Sequence, residues 1–240
     1  VLGTILNTAG IVLGCLVGLF WKKNLSLAHQ FFFKSAIGAF TVFYGLRLTV
    51  LSFSGPFLHI LKQLVIVLMA MALGKITGRL LHLQKTSNRV GQFARERIAR
   101  ARPDNPNRFS DGFSVCGALF CVAPLGILGA IHDGLSGYFY PLAVKAVMDA
   151  LAAMSFVAIF GPGVLFSAVP VLVLQGTLTL VCSRFLAPFL EAHGLIEPIN
   201  AIGGLLIFCV ALLIFEIKKI EVADYLPSLF FAPLLAYFLV

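Results

Sequence analysis

The sequence is a succession of apolar blocks, at roughly 2–21, 31–53, 57–82, 114–131, 139–160, 164–187, 199–217 and 225–240, with one long polar gap after the third. A helix needs about 20 apolar residues to cross the hydrocarbon of a bilayer, and most of the blocks reach that length. Only 12% of the residues are charged and 60% are hydrophobic, against roughly 25% charged in a soluble domain. The expectation is an all-α, polytopic membrane domain over 1–240 with seven or eight transmembrane segments. The fourth and eighth blocks are short. The fourth carries Gly117, Pro124, Gly126 and Gly129, which predicts a broken or re-entrant helix, tolerated at membrane depth only inside protein or beside water. The first block has no basic stretch before it and stops at Trp21-Lys22-Lys23, an interface pattern. It reads as a spanning helix rather than a signal peptide.

Charge is concentrated in the gap. From Lys75 to Arg108 there are nine Lys and Arg (75, 79, 85, 89, 95, 97, 100, 102 and 108) against Glu96 and Asp104, which is +7 of the chain's formal +8. Between membrane segments such a stretch reads as a positive-inside loop (84–111) rather than a nucleic-acid surface. Val90, Phe93, Ala94 and Ile98 recur at helical spacing, so the loop is expected to lie as a basic amphipathic helix on an anionic inner leaflet until "RPDNPN" (102–107) breaks it. With that loop inside and eight crossings, Lys22, Lys23, Lys218 and Lys219 are all cytoplasmic and both termini lie outside.

Two halves of the chain echo each other. "AIGAFTVF" (36–43) and "AIGGLLIF" (201–208) share Ala-Ile-Gly and a phenylalanine five positions on. Ahead of them stand Gly3 with Asn7, and Gly163 with Ser167; after them come "PFL" (56–58) and "PSL" (227–229). The offsets, 160, 165 and 171, rise in order. This predicts two inverted three-helix repeats (1–83 and 163–240) around a central hairpin (112–162), a plan that places binding sites near the midplane. Gly10, Gly14 and Gly18 form a small-residue ridge on the first helix, fit for close helix packing within the chain or across a homodimer axis.

Ionisable groups at mid-bilayer cost about 2.5–3.5 kcal/mol on insertion scales and face a bundle interior, cavity or partner. Asp149 is the eleventh of twenty-two residues in its block, with Lys145 one turn before it. Three states suit the carboxylate: paired with Lys145, protonated, or facing water and a permeating cation. A packing pair and a pathway ligand are both open. Asn7, Ser167 and Gln175 are neutral candidates for the same path, or interhelical glue. His132 and Asp133, in "HDGLSG" (132–137), read as an outer turn that Asp133 caps, with His132 a candidate gating group. Arg47, His59 and Lys62 near outer helix ends either attract an anion or snorkel to headgroups. "GPG" (161–163) predicts a tight reversal.

Cys15, Cys116, Cys121, Cys182 and Cys209 match neither a zinc site nor a C-x-x-C pair. The chain has no H-E-x-x-H or G-x-S-x-G signature and, besides Asp149, only Glu216 as an acid within a block. No enzyme activity and no cofactor or metal is expected.

The motifs "GTILNTAGIVLG" (3–14), "LFCVAPLGILGAIHDGL" (119–135), "KAVMDALAAMSF" (145–156), "GVLFSAVPVLVLQG" (163–176) and "IGGLLI" (202–207) resemble the bacterial inner-membrane proteins of the YdfK/YqgA type, a family of unknown function. The resemblance covers nearly the whole chain, and Asn7, Asp133, Asp149, Ser167 and Gln175 match recurring positions of its motifs. His132 stands where the family usually has glutamine, and "GKITGRLL" (74–81) replaces an acidic stretch. The family implies a multi-pass protein with a suggested transport role. The leading expectation is therefore a transporter or channel for a small ion or solute. The competing one is a non-transporting interaction protein that uses the basic loop to bind anionic lipid or a partner.

Overall fold

The computed structural model describes residues 1–20, 26–102 and 106–239, and every regular element among them is helical. In hydrocarbon each backbone N–H and C=O must be paired within the protein, and a helix does this within one segment. The α-helices are α1 (Leu2–Phe20), α2 (Leu27–Leu51), α3 (Phe57–Leu80), α4 (Leu83–Arg100), α5 (Arg108–Val122), α6 (Pro124–Ser136), α7 (Tyr140–Phe160), α8 (Ala168–Val181), α9 (Ala187–Ala192), α10 (Ile196–Ile214) and α11 (Ser228–Leu239). The expected interface residues Trp21, Lys22 and Lys23, and Asp104 of the gap, lie outside the described residues.

Six helical runs are long and apolar enough to cross a membrane, or seven when α5 and α6, bent by 58°, are taken together. One of the six is the 53-residue run Tyr140–Ala192, and it doubles back at the expected place. Gly161 adopts φ +74°, a left-handed conformation that glycine takes without steric cost, and a 3-10 turn (Gly161–Ser167) leads into α8. Close approaches along α5 and α6 show the reversal: Gly112 packs on Phe160 and Val164, Gly126 on Lys145 and Gln175, Gly134 on Thr179 and Cys182. So α7 runs antiparallel to α5–α6, and α8 runs parallel to them. The fourth apolar block is broken at Ala123 but continues in the same general direction through the bundle.

The glycine ridge of α1 is used within the chain. Gly10 abuts the Ala146 carbonyl, Gly14 that of Ala150, and Gly18 that of Met154, so α1 and α7 lie parallel at backbone contact. The segments that echo each other are neighbours in two cases: α2 packs antiparallel on α10 (Gly38 on Phe215, Gly45 on Gly204) and α3 antiparallel on α11 and the turn before it (Gly74 on Ser228, Gly78 on Asp224). The third correspondence is looser, because Gly163 and Ser167 sit in a 3-10 turn whereas Gly3 and Asn7 are α-helical.

Several expectations need correction. The basic stretch is a helix, but Ala94 is buried in one apolar cluster with residues of α5 and α7 such as Val115 and Phe160, and Phe93 and Ile98 pack against that cluster. Much of its apolar stripe covers the end of the protein's own core. Its start is held by Asp224, which accepts from the Gln84 N–H at 2.8 Å, and its end by Arg97 donating to Asp111 at 2.8 Å. Arg108 and Asp111 belong to α5 rather than to the loop, and Arg108 donates to the Ile159 and Ala158 carbonyls at 2.8 and 2.9 Å, closing the end of α7. His132 and Asp133 are buried inside α6, and the turn falls instead at Gly137, φ +67°. Glu216 pairs with Lys34 at 2.7 Å, and that ammonium holds its carboxyl below the ordinary range.

Two buried clusters result. One joins α2, α3, α6, α10 and α11, the other α1, α4, α5, α7 and α8. A side chain at Gly14 would strike the Ala150 backbone. Gly14→Val is therefore expected to abolish a monodisperse size-exclusion peak or markedly lower the unfolding temperature. Gly91→Ala on α4, with nothing within 4 Å, is expected to leave folding intact and to stabilise by up to about 1 kcal/mol through helix propensity.

Candidate functional site

Tyr140–Phe160 is almost wholly apolar, yet Lys145 and Asp149 on it are 1% and 6% exposed. Their spacing of four places them on one helix face, and the ammonium donates to Asp149 Oδ2. Two further helices complete the surroundings. The Asn7 amide on α1 lies beside Asp149 and donates to Gln175 Oε1 on α8 at 3.2 Å. Asn7 and Gln175 are 0% and 2% exposed, and Asn7 Oδ1 and Gln175 Nε2 have no hydrogen-bond partner. A buried polar atom left unpaired costs about 1–3 kcal/mol, so the cluster is short of at least one acceptor and one donor.

The α5–α6 break lies at the same level. Pro124 has no N–H and its ring clashes with a preceding turn, and α5 and α6 meet there at an angle of 58°. The end of a helix carries unpaired carbonyls and partial negative charge, its start unpaired N–H groups and partial positive charge. Gly126, in the first turn of α6, packs on the Lys145 side chain and on Gln175 Nε2. The Lys145 ammonium stands 5.7 Å over the ring of Phe120, in the last turn of α5. Four chain segments thus bring charged, amide and helix-end groups to one buried spot.

A line of buried polar contacts continues along α1, α6 and α8. Thr4 and Thr179 hydroxyls are 3.3 Å apart, and Thr179 donates to the Ala130 carbonyl at 3.1 Å. One step further, Asp133 accepts from the Gly3 N–H at 3.0 Å, which replaces its expected role as a turn cap. Sequence reasoning missed Thr4 and Thr179, although each stands one turn from Asn7 or Gln175 on the same face.

The remaining candidates lie apart. Ser167 donates to Val164 O of its own turn at 2.6 Å and lies eight residues before Gln175, roughly 12 Å along a helix. His132, fully buried, points to the other side of α6. Its Nδ1 lies 3.0 Å from Asn200 Oδ1, its ring packs on Gly203, and Nε2 is unpartnered. Arg47 and Lys62 are exposed, Arg47 stacking 5.7 Å from the Tyr140 ring, and His59 lies 3.1 Å from the Gln63 amide. Among the described residues no group of three or more His, Cys, Asp or Glu is placed to hold a metal.

Fold and site are those of an all-helical, multi-pass membrane protein with a buried charged pair beside a broken helix. The chain belongs to the family described as "Protein of unknown function (DUF554)", which it matches over residues 2–237. It is 26% identical over 239 residues to the "Uncharacterized membrane protein YdfK" of Bacillus subtilis (strain 168), covering 98% of this chain and 95% of that one. It is 28% identical over 234 residues to the "Uncharacterized protein YqgA" of Escherichia coli (strain K12), covering 97% and 94%. No solved structure matches.

Removing one partner of a buried ion pair leaves the other charge uncompensated, at about 3–5 kcal/mol, whereas an apolar pair of similar volume is often neutral or stabilising. Lys145→Met and Asp149→Leu are each expected to lower the unfolding temperature, and the double variant to recover most of the loss. A double variant no more stable than the singles would show that the polar groups around the pair, not its charges alone, hold the packing.

Proposed function

We propose that the protein is a transporter or channel for a small ion or small solute, whose path passes the cluster of Lys145, Asp149, Asn7 and Gln175. The observation that carries this reading is the helix break beside an incompletely paired buried site. Discontinuous helices in transporters present their free ends to substrate and coupling ions near the midplane. Here the end of α5, the start of α6, a carboxylate, an ammonium and two unpaired amide atoms meet at one level. Asp149 is the ligand for a cation or proton, Asn7 and Gln175 are neutral ligands, and Lys145 occupies the carboxylate when the site is empty. Thr4, Thr179 and Asp133 extend the path towards the Gly137 end. Ser167 lies at its opposite approach.

The accompanying topology has eight crossings. α5–α6 counts as one broken span and Tyr140–Ala192 as two. The α4 face is cytoplasmic by the excess of Lys and Arg, and both described ends of the chain lie outside. The setting is a bacterial inner membrane. The antiparallel pairing of α2 with α10 and α3 with α11 supports an inverted repeat.

Flux tests this reading directly. Native protein reconstituted in liposomes should pass at least one of Na⁺, K⁺, H⁺ or a simple anion above empty vesicles. Asp149→Asn, which keeps the shape and removes the charge, should reduce that flux by about an order of magnitude. Undiminished flux in folded Asp149→Asn removes Asp149 from the path, and no flux for any of these ions in the native protein removes ion transport itself.

A further inference from the structure

The α4 face of the bundle holds a second polar site, remote in sequence and structure from Asp149. At Glu216, φ +59°, the chain turns out of α10, and Lys218 and Lys219 come to share a cavity of about 670 Å³ with Lys75 near the end of α3. Gln84 and Asn88 of α4 close one side. Among the described residues the one carboxylate lining it is Glu221, and Arg79 lies 3.4 Å from that group. Among the described residues no ion pair engages Lys75, Lys218 or Lys219. Lys75 is instead held 5.1 Å over the ring of Tyr225. Three lysines around one recess give its rim a positive charge that an anion would neutralise.

The deeper wall has the opposite character. Met71, Leu206 and Leu213 line it, from helices that are apolar along their length. The cavity is therefore charged at the rim, where α3 and α10 leave their apolar stretch, and hydrocarbon-like below. Gln84 donates to Asn88 Oδ1 at 3.0 Å, so the Asn88 amide nitrogen is the group left to donate outward. We propose that this cavity binds an anionic phospholipid. Its phosphate sits among Lys75, Lys218 and Lys219, its ester oxygens reach Asn88, and an acyl chain lies along Met71, Leu206 and Leu213. Basic pockets between membrane helices on the cytoplasmic side bind lipid head groups in this way. A soluble phosphate would satisfy the lysines but leave the apolar wall empty.

The test is native mass spectrometry of the full chain in detergent, titrated with phosphatidylglycerol or phosphatidylethanolamine. The native protein is expected to retain one phosphatidylglycerol at concentrations where phosphatidylethanolamine is lost. Lys75→Ala/Lys218→Ala/Lys219→Ala should weaken retention by on the order of 100-fold, from the surface contribution of one lysine each. The corresponding triple Arg variant should keep it, as should Lys85→Ala/Arg89→Ala/Arg95→Ala on exposed α4 positions. Equal retention of the two lipids by the native protein overturns the proposal without any variant. Unchanged retention in the triple Ala variant also overturns it. So does displacement of the lipid by glycerol phosphate at comparable concentration, which would make the recess a site for a soluble phosphate.

Discussion

An ammonium and a carboxylate taken out of water each lose several kcal/mol of solvation, and their mutual attraction offsets this only where geometry and further hydrogen bonds are favourable. Lys145 and Asp149 have each other as partner, and the packing of the bundle around them holds the pair in place. Asn7 comes beside Asp149 because α1 lies against α7 at backbone contact, and it lies there because Gly10 and Gly14 leave room for the Ala146 and Ala150 carbonyls. Gln175 reaches Asn7 because the chain reverses at Gly161 and returns α8 along the same side. Gly126 admits the Lys145 chain beside α6. The pair thus depends on three close approaches, each of which a single methyl group would disturb.

Small residues take over here the role that apolar burial has in water. Lipid tails are as apolar as leucine, so helices associate through shape, hydrogen bonds and close contact. That explains why large hydrophobic side chains such as Phe40, Leu68 and Val173 point outward, 56%, 66% and 61% exposed, while Thr4, Asn7, Thr179 and Gln175 are inside. The same inversion accounts for Thr49, whose hydroxyl bonds within α2 to Gly45 and across to the Ala201 carbonyl at 3.4 Å.

The helical class, the Gly161 reversal, the broken fourth block and the Lys145–Asp149 pair were legible because each rests on local composition. Polar residues are rare in apolar segments, so Asn7, Asp149 and Gln175 stood out. The contact between Asn7 and Gln175 did not, since it joins positions 168 apart and depends on two helices meeting. Ser167 carried the same signal as Asn7, but a carbonyl three residues back satisfies it, and sequence does not distinguish a local partner from a distant one. "HDGLSG" was misread because glycine beside polar residues marks turns in water; here Gly134 is where α6 packs on α8. The stripe on α4 was read as lipid-facing, although an amphipathic helix has the same pattern when it covers a protein's own core. The basic recess at Lys75 has no local signature, because Lys218 and Lys219 stand 143 and 144 positions from it.

On the transport reading, the incomplete pairing at the midplane is the informative feature. A pair kept only for packing gains nothing from an unpaired Asn7 Oδ1 or Gln175 Nε2, and apolar residues of similar volume would serve as well. Lys145 also precedes Asp149 along the helix, the weaker of the two orders for an i,i+4 pair. A cation entering between Asp149 and the Asn7 carbonyl oxygen would replace Lys145 as partner, freeing the ammonium towards the carbonyl end of α5. On that reading two arrangements of one lysine, each with a compensating negative group, would make the pair an exchange site rather than a fixed bolt. The α5–α6 break supplies the second group, and a continuous helix could not.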